Sequence, residues 1–70
     1  MEPQEKFAEN LRRERTKAGL SQEALGDLVG LHRTEVSLLE RAEREPRLGT
    51  IVRLARGLKV APSTLIDGIR

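Results

Sequence analysis

LSQEALGDLVGLHRTEVSLLER, running from Leu20 to Arg41, reads as two short helices joined by a tight turn. Ser21 is a good N-cap because its hydroxyl accepts a backbone N–H from the first turn. Gln22 to Val29 then carries Leu25, Leu28 and Val29 at helical spacing. Gly30 stops that helix, since a glycine after the last periodic residue takes the left-handed conformation a helix end needs, and Leu31 turns inward behind it. A second helix is predicted from about Arg33 to about Ala42. At roughly 100° per residue, Val36 and Leu39 define its buried side. Thr34, Ser37, Leu38 and Arg41 then point away from the core, with Arg33 on the flank.

A helix, a short turn with glycine and a second helix form a unit whose second helix can lie in a DNA major groove. The flanking sequence supplies its support. Pro3 to Ala18 reads as a first helix, with Pro3 at an early position and Phe7, Leu11 and Arg15 four apart on one face. Arg12, Arg13 and Lys17 fall on other faces and read as a solvated basic surface, with backbone contacts on DNA as the lesser alternative. Gly19 ends this helix and Leu20 tucks in ahead of the Ser21 cap. After a charged connection from Arg41 to Arg47, closed by Pro46, a fourth helix is predicted from about Leu48 to Gly57. A last short one runs from Pro62 to about Asp67. The expected fold is therefore all-α, with five helices in one domain spanning residues 1–70 and the central unit at about 21–42. Its expected core is Leu11, Leu25, Val29, Leu31, Val36, Leu39, Ile51, Leu54, Leu58 and Leu65.

Seventy residues bury only about 60% of the surface the unfolded chain exposes, which leaves little room for an enzyme cavity. The chain has no Cys, hence neither a disulfide framework nor a thiolate metal site, and no apolar run approaches the roughly 20 residues of a membrane span. No secretory signal precedes the first helix, so a reducing cytoplasm is the expected compartment. The net charge is only +2, but Leu31 to Lys59 holds seven cations against four carboxylates. Ten of the 13 basic residues are Arg, whose planar fork matches phosphate and guanine edges better than the point charge of lysine. Phe7 is the only aromatic residue, so the chain is poorly equipped to stack single-stranded bases, and duplex DNA is the better partner. His32 is the only histidine, which rules out a histidine cluster for a metal and a pair of imidazoles for acid–base work. With no phosphate-cradling glycine motif either, no enzyme, cofactor, metal or small-molecule ligand is expected.

The pattern S-Q-E-x-L-x-x-x-x-G-L, followed by V-S-x-L-E-R and then a proline, resembles the Cro/cI-type (XRE family) helix-turn-helix domains of the lambda and 434 phage repressors. In size the chain is also similar to the controller proteins of restriction-modification systems. The resemblance runs from about Leu11 to about Ile66 and implies a lambda-repressor-like domain that regulates transcription by binding duplex DNA in a sequence-specific way, as repressor and in some members as activator. Matching position by position, it assigns base reading to Arg33, Thr34, Leu38 and Gln22, and a buried ion pair to Arg15 and Glu40. Glu40 also lies about 40° from Val36, near the buried side, where an unpaired carboxylate is costly. Ser21, His32, Ser37, Arg41, Arg44 and Arg47 are the expected phosphate contacts.

Where Ala42 stands the family commonly has Gly, so the recognition helix is expected to run a residue or so longer. Weak caps are expected at His32, Arg47 and Ala61. Glu35 has two readings, holding Arg33 in place or closing a capping interaction with the His32 backbone. Leu48, Ile66 and Ile69 are apolar residues the core does not need and mark a two-fold homodimer contact. Glu23 and Asp27 match the positions where activating members present acidic residues to RNA polymerase; the other reading of the pair is an ordinary solvated face. The alternatives are an antitoxin that represses its own operon, and a protein-interaction module that keeps the fold without reading DNA.

Overall fold

The computed structural model describes all 70 residues as five helices without a strand: α1 (Pro3–Lys17), α2 (Gln22–Val29), α3 (Arg33–Glu40), α4 (Leu48–Leu58) and α5 (Pro62–Leu65). Helix α1 opens on Pro3, whose missing N–H costs nothing in a first turn. The Glu5 carboxylate accepts the Glu2 N–H at 2.7 Å. Ser21 caps α2 through its hydroxyl, which accepts from the Ala24 N–H at 2.9 Å. Gly30 ends α2 at φ 77°, and the Leu31 N–H returns to the Gly26 carbonyl at 2.8 Å. That return brings the chain so close that a Cβ on Gly26 would stand 2.4 Å from the Leu31 carbonyl oxygen.

Helix α3 stops at Glu40, two residues before the expected end. Ala42 adopts the left-handed conformation at φ 59° that the family's glycine would take, with the Ala42 N–H on the Leu39 carbonyl and the Glu43 N–H on that of Leu38. The chain thus keeps the usual exit and makes an alanine adopt it. Helix α5 also ends early, at Leu65 rather than near Asp67, and Gly68 turns the chain back at φ 82°.

All five helices contribute to one core, in which Phe7, Leu11, Leu25, Val36, Leu39, Leu54, Ala55 and Leu65 are essentially sealed and Val29 and Leu58 nearly so. Leu31 and Ile51, expected within it, are half-buried against its edge, and Ile69 packs there as well. Leu28 departs from the helical pattern expected of it, standing 58% exposed beside α4. Two polar residues enter the interior that hydrophobic periodicity does not reveal. Asn10 is fully buried and its Nδ2 donates to the Leu65 and Asp67 carbonyls, both at 2.9 Å, tying the end of α5 to α1. Glu14 is 7% exposed, with Arg13 and Lys17 around its carboxylate.

Candidate nucleic-acid interface

Helix α3 is held at both ends by polar groups, and the way it is held determines which side chains face outward. At its start the His32 Nδ1 accepts the Thr34 N–H at 3.0 Å, so the imidazole does the work of the missing serine or threonine cap. With Nδ1 an acceptor, Nε2 carries the proton and is left as an exposed donor. Arg47 and Ala61, by contrast, make no side-chain cap on α4 and α5.

At the far end Glu40, only 3% exposed, gathers three side chains. Arg15 donates to both of its carboxylate oxygens, through Nη2 to Oε1 at 2.9 Å and through Nε to Oε2, and also bonds the Leu20 carbonyl at 2.8 Å. Gln22 Nε2 donates to the same Oε1 at 3.1 Å, and Arg12 Nη2 closes the helix end on the Glu40 carbonyl at 3.0 Å. The hydrogen bonds to Glu40 raise the Arg15 pKa above the ordinary guanidinium value; desolvation works against this, and the neighbouring negative charge adds to it. Arg12 is therefore no plain solvated residue, because it satisfies a carbonyl that the end of α3 leaves open.

The outward face carries Arg33 and Thr34, both exposed, and Ser37 and Leu38, both half-buried. The guanidinium of Arg33 reaches no acceptor in hydrogen-bond range; its nearest charge is Glu23 on α2 at 4.0 Å, with both side chains about two-thirds exposed. Gln22 is the base-reading assignment most altered by the geometry, since one N–H of its amide is committed to Glu40 and only the rest of the group faces out. Ser21 spends an acceptor site on its cap but keeps its O–H to donate.

Among the connection residues, Arg41 lies 3.4 Å from Glu43, and Arg44 donates to Glu35 at 3.0 Å, while Arg47 joins no ion pair. Neither reading offered for Glu35 is realised: its carboxylate holds the incoming loop through Arg44, not Arg33 or the His32 backbone. Arg53, absent from the sequence-based assignments, sets its guanidinium on the open end of α2, bonding the Val29 carbonyl at 2.7 and 3.2 Å and that of Gly30 at 2.9 Å. An arginine six residues into α4 gives no local signal for a contact 24 positions back.

Chemically, α3 presents a cation at its leading end, a hydroxyl and an apolar tip behind it, and donors for anions on both flanks: the Ser21 hydroxyl, His32 Nε2 and Arg47. That is the inventory base edges and phosphates require.

Comparison with known proteins places this geometry among relatives. The family model described as Helix-turn-helix matches residues 11–65. The control protein C.SmaI of Serratia marcescens is 41% identical over 66 residues, which cover 94% of this chain and 79% of that protein. The crystal structure of the restriction-modification controller protein C.AhdI from Aeromonas hydrophila superimposes with a TM-score of 0.86 at 44% identity, covering 89% of this chain and 94% of that one. The c2 repressor of Salmonella phage P22, solved in complex with a synthetic operator, gives a TM-score of 0.81 at 34% identity, over 89% of this chain and 94% of that chain.

Proposed function

Because the chain belongs to this helix-turn-helix family of sequence-specific DNA-binding transcription regulators, we propose that it grips a pseudo-palindromic operator as a two-fold homodimer, with Arg33, Thr34, Leu38 and Gln22 toward the bases. The observation that carries this reading is the outward face of α3, an exposed Arg33 and Thr34 on a helix fixed at one end by His32 and at the other by Arg12, Arg15 and Gln22. A rigid mount of this kind keeps a base-reading side chain at one depth in the groove. Ser21, His32, Ser37, Arg41, Arg44 and Arg47 then flank the face as phosphate contacts, with Arg41 and Arg44 exchanging Glu43 and Glu35 for the backbone.

Assembly uses Leu48, 77% exposed, and Ile66, 44% exposed, on the last two helices. Ile69 contributes only its outer side, because it packs against the core. Two recognition helices would then stand about one helical turn of DNA apart, roughly 34 Å. The role requires no catalysis and no cofactor, and it is carried out in the cytoplasm; no helix is long and apolar enough to cross a membrane. Asp27, exposed and outside every ion pair, and Glu23 form an acidic pair on α2 for RNA polymerase in activation. Titrating fluorescent duplex DNA at rising salt tests DNA binding itself: a reader of DNA loses affinity steeply as counterions compete. A flat response would leave a protein-interaction module that has kept the fold.

A further inference from the structure

Leu28 has no place in the core and none on the DNA-reading face. It stands 58% exposed at the edge of an open hollow of about 550 Å³, lined also by Val29, Arg53, Arg56, Gly57 and Lys59. Three cations therefore surround one exposed leucine, and none of the three joins an ion pair with any carboxylate of the chain. Arg53 is partly used by the carbonyls that end α2, but Arg56 and Lys59 are exposed and unengaged. The floor is closed by the tight approach of α2 to α4, which Gly57 permits by having no side chain; a Cβ there would lie 2.4 Å from Val29 Cγ1 and 3.5 Å from Leu28 Cδ2.

The hollow lies away from α3. Gly26 packs against the Leu31 carbonyl and the Arg33 nitrogen, so that side of α2 looks toward the recognition helix, whereas Leu28 and Val29 look toward Gly57 on α4. No residue of α3 lines the hollow.

We propose that this hollow docks an acidic protein segment that sets an aliphatic or aromatic side chain against Leu28, between carboxylates that pair with Arg56 and Lys59. Charge complementarity favours carboxylates, and the exposed leucine favours a polypeptide over bare phosphate, because an apolar side chain gains nothing from an anion alone. A second copy of this chain, which carries exposed carboxylates outside every ion pair such as Asp27, is the competing occupant, and the dependence on protein concentration separates it.

The test follows backbone amide resonances of the 70-residue chain while four probes are added in turn. They are a synthetic peptide with leucine and phenylalanine between pairs of carboxylates, the same peptide with lysines for the carboxylates, inorganic phosphate, and a random-sequence duplex. The acidic peptide alone is expected to move Leu28, Arg56, Gly57 and Lys59. Arg56→Glu combined with Lys59→Glu should weaken it about tenfold or more by reversing two charge pairs. Leu28→Ser, at an exposed site, should weaken it by about fivefold through lost apolar contact, with the fold unchanged. No movement with the acidic peptide would overturn the proposal, as would an equal response to inorganic phosphate or to the duplex. Shifts that depend on protein concentration alone and vanish in the charge-reversed variant would overturn it too, in favour of a second copy.

Discussion

Arg15 divides its guanidinium between the Glu40 carboxylate of α3 and the Leu20 carbonyl ahead of α2. Its partner Glu40 is 3% exposed and the Arg15 side chain 17%, so removing the arginine strands a carboxylate in the interior. Arg15→Ala should cost about 3 kcal/mol, the low end of the range for breaking a buried pair, because Gln22 and the more distant Arg12 still face Glu40. In a domain of this size that is a fall of about 12 °C or more in Tm, read by thermal unfolding. The raised pKa of Arg15 means that its share of the stability is complete below the ordinary guanidinium range and is lost only as pH rises through the still higher folded value, so mild acid or base should leave this half of the pair charged. Single residues also divide what the sequence reveals from what it hides. The place of Glu40 near the buried side follows from its angle to Val36, and the match to the repressor pattern supplies Arg15. Nothing local announces Asn10, whose amide bonds carbonyls 55 and 57 residues away. Nor does spacing show that Glu35 takes Arg44 as its partner.

Helices begin and end where capping chemistry allows, and the structure differs most from sequence expectation at those ends. The start of α3 lacks the usual hydroxyl, yet the His32 ring nitrogen takes its place; His32→Ala should lose about 1 kcal/mol in denaturant unfolding. The exit of α3 is set by the backbone bonds from Ala42 and Glu43, which require a positive φ whether or not glycine supplies it. Substituting alanine for glycine there does not lengthen the helix; it puts strain on the alanine, for which the left-handed region costs about 1–2 kcal/mol. Part of the relief gained by Ala42→Gly is offset by the greater freedom of glycine in the unfolded chain. The net gain expected is about 0.5–1 kcal/mol, seen as a higher denaturant midpoint with an unchanged slope. Leu28 shows the limit of periodicity as a guide. It fits the apolar pattern of α2 but lies on the side where α4 leaves a hollow instead of a wall.

At the scale of the whole molecule the five helices bury one core. The fold was legible because the turn at Gly30, the Ser21 cap and the apolar spacings of α2 to α4 agree with one another. Of the candidate interface, sequence gave the outward residues of α3 but not the occupants of their charges, since pairs such as Arg44 with Glu35 and Arg33 near Glu23 depend on how the loop and α2 lie over α3. Leu48 and Ile66 stay exposed after folding, consistent with a contact between copies. Ile66→Glu should shift sedimentation toward monomer while leaving the melting temperature of the monomeric domain nearly unchanged.

Base reading by α3 is tested most directly at Arg33. A preferred duplex is first selected from random sequences, and the affinities of the parent protein and Arg33→Ala are then measured for it and for each of its single-base variants. A guanidinium seated on guanine O6 and N7 discriminates by about 1–3 kcal/mol, so Arg33→Ala should erase the preference at one symmetric position and leave the others intact. An equal loss of affinity for every variant, with the salt slope lowered by about one, would contradict it and leave Arg33 a phosphate contact.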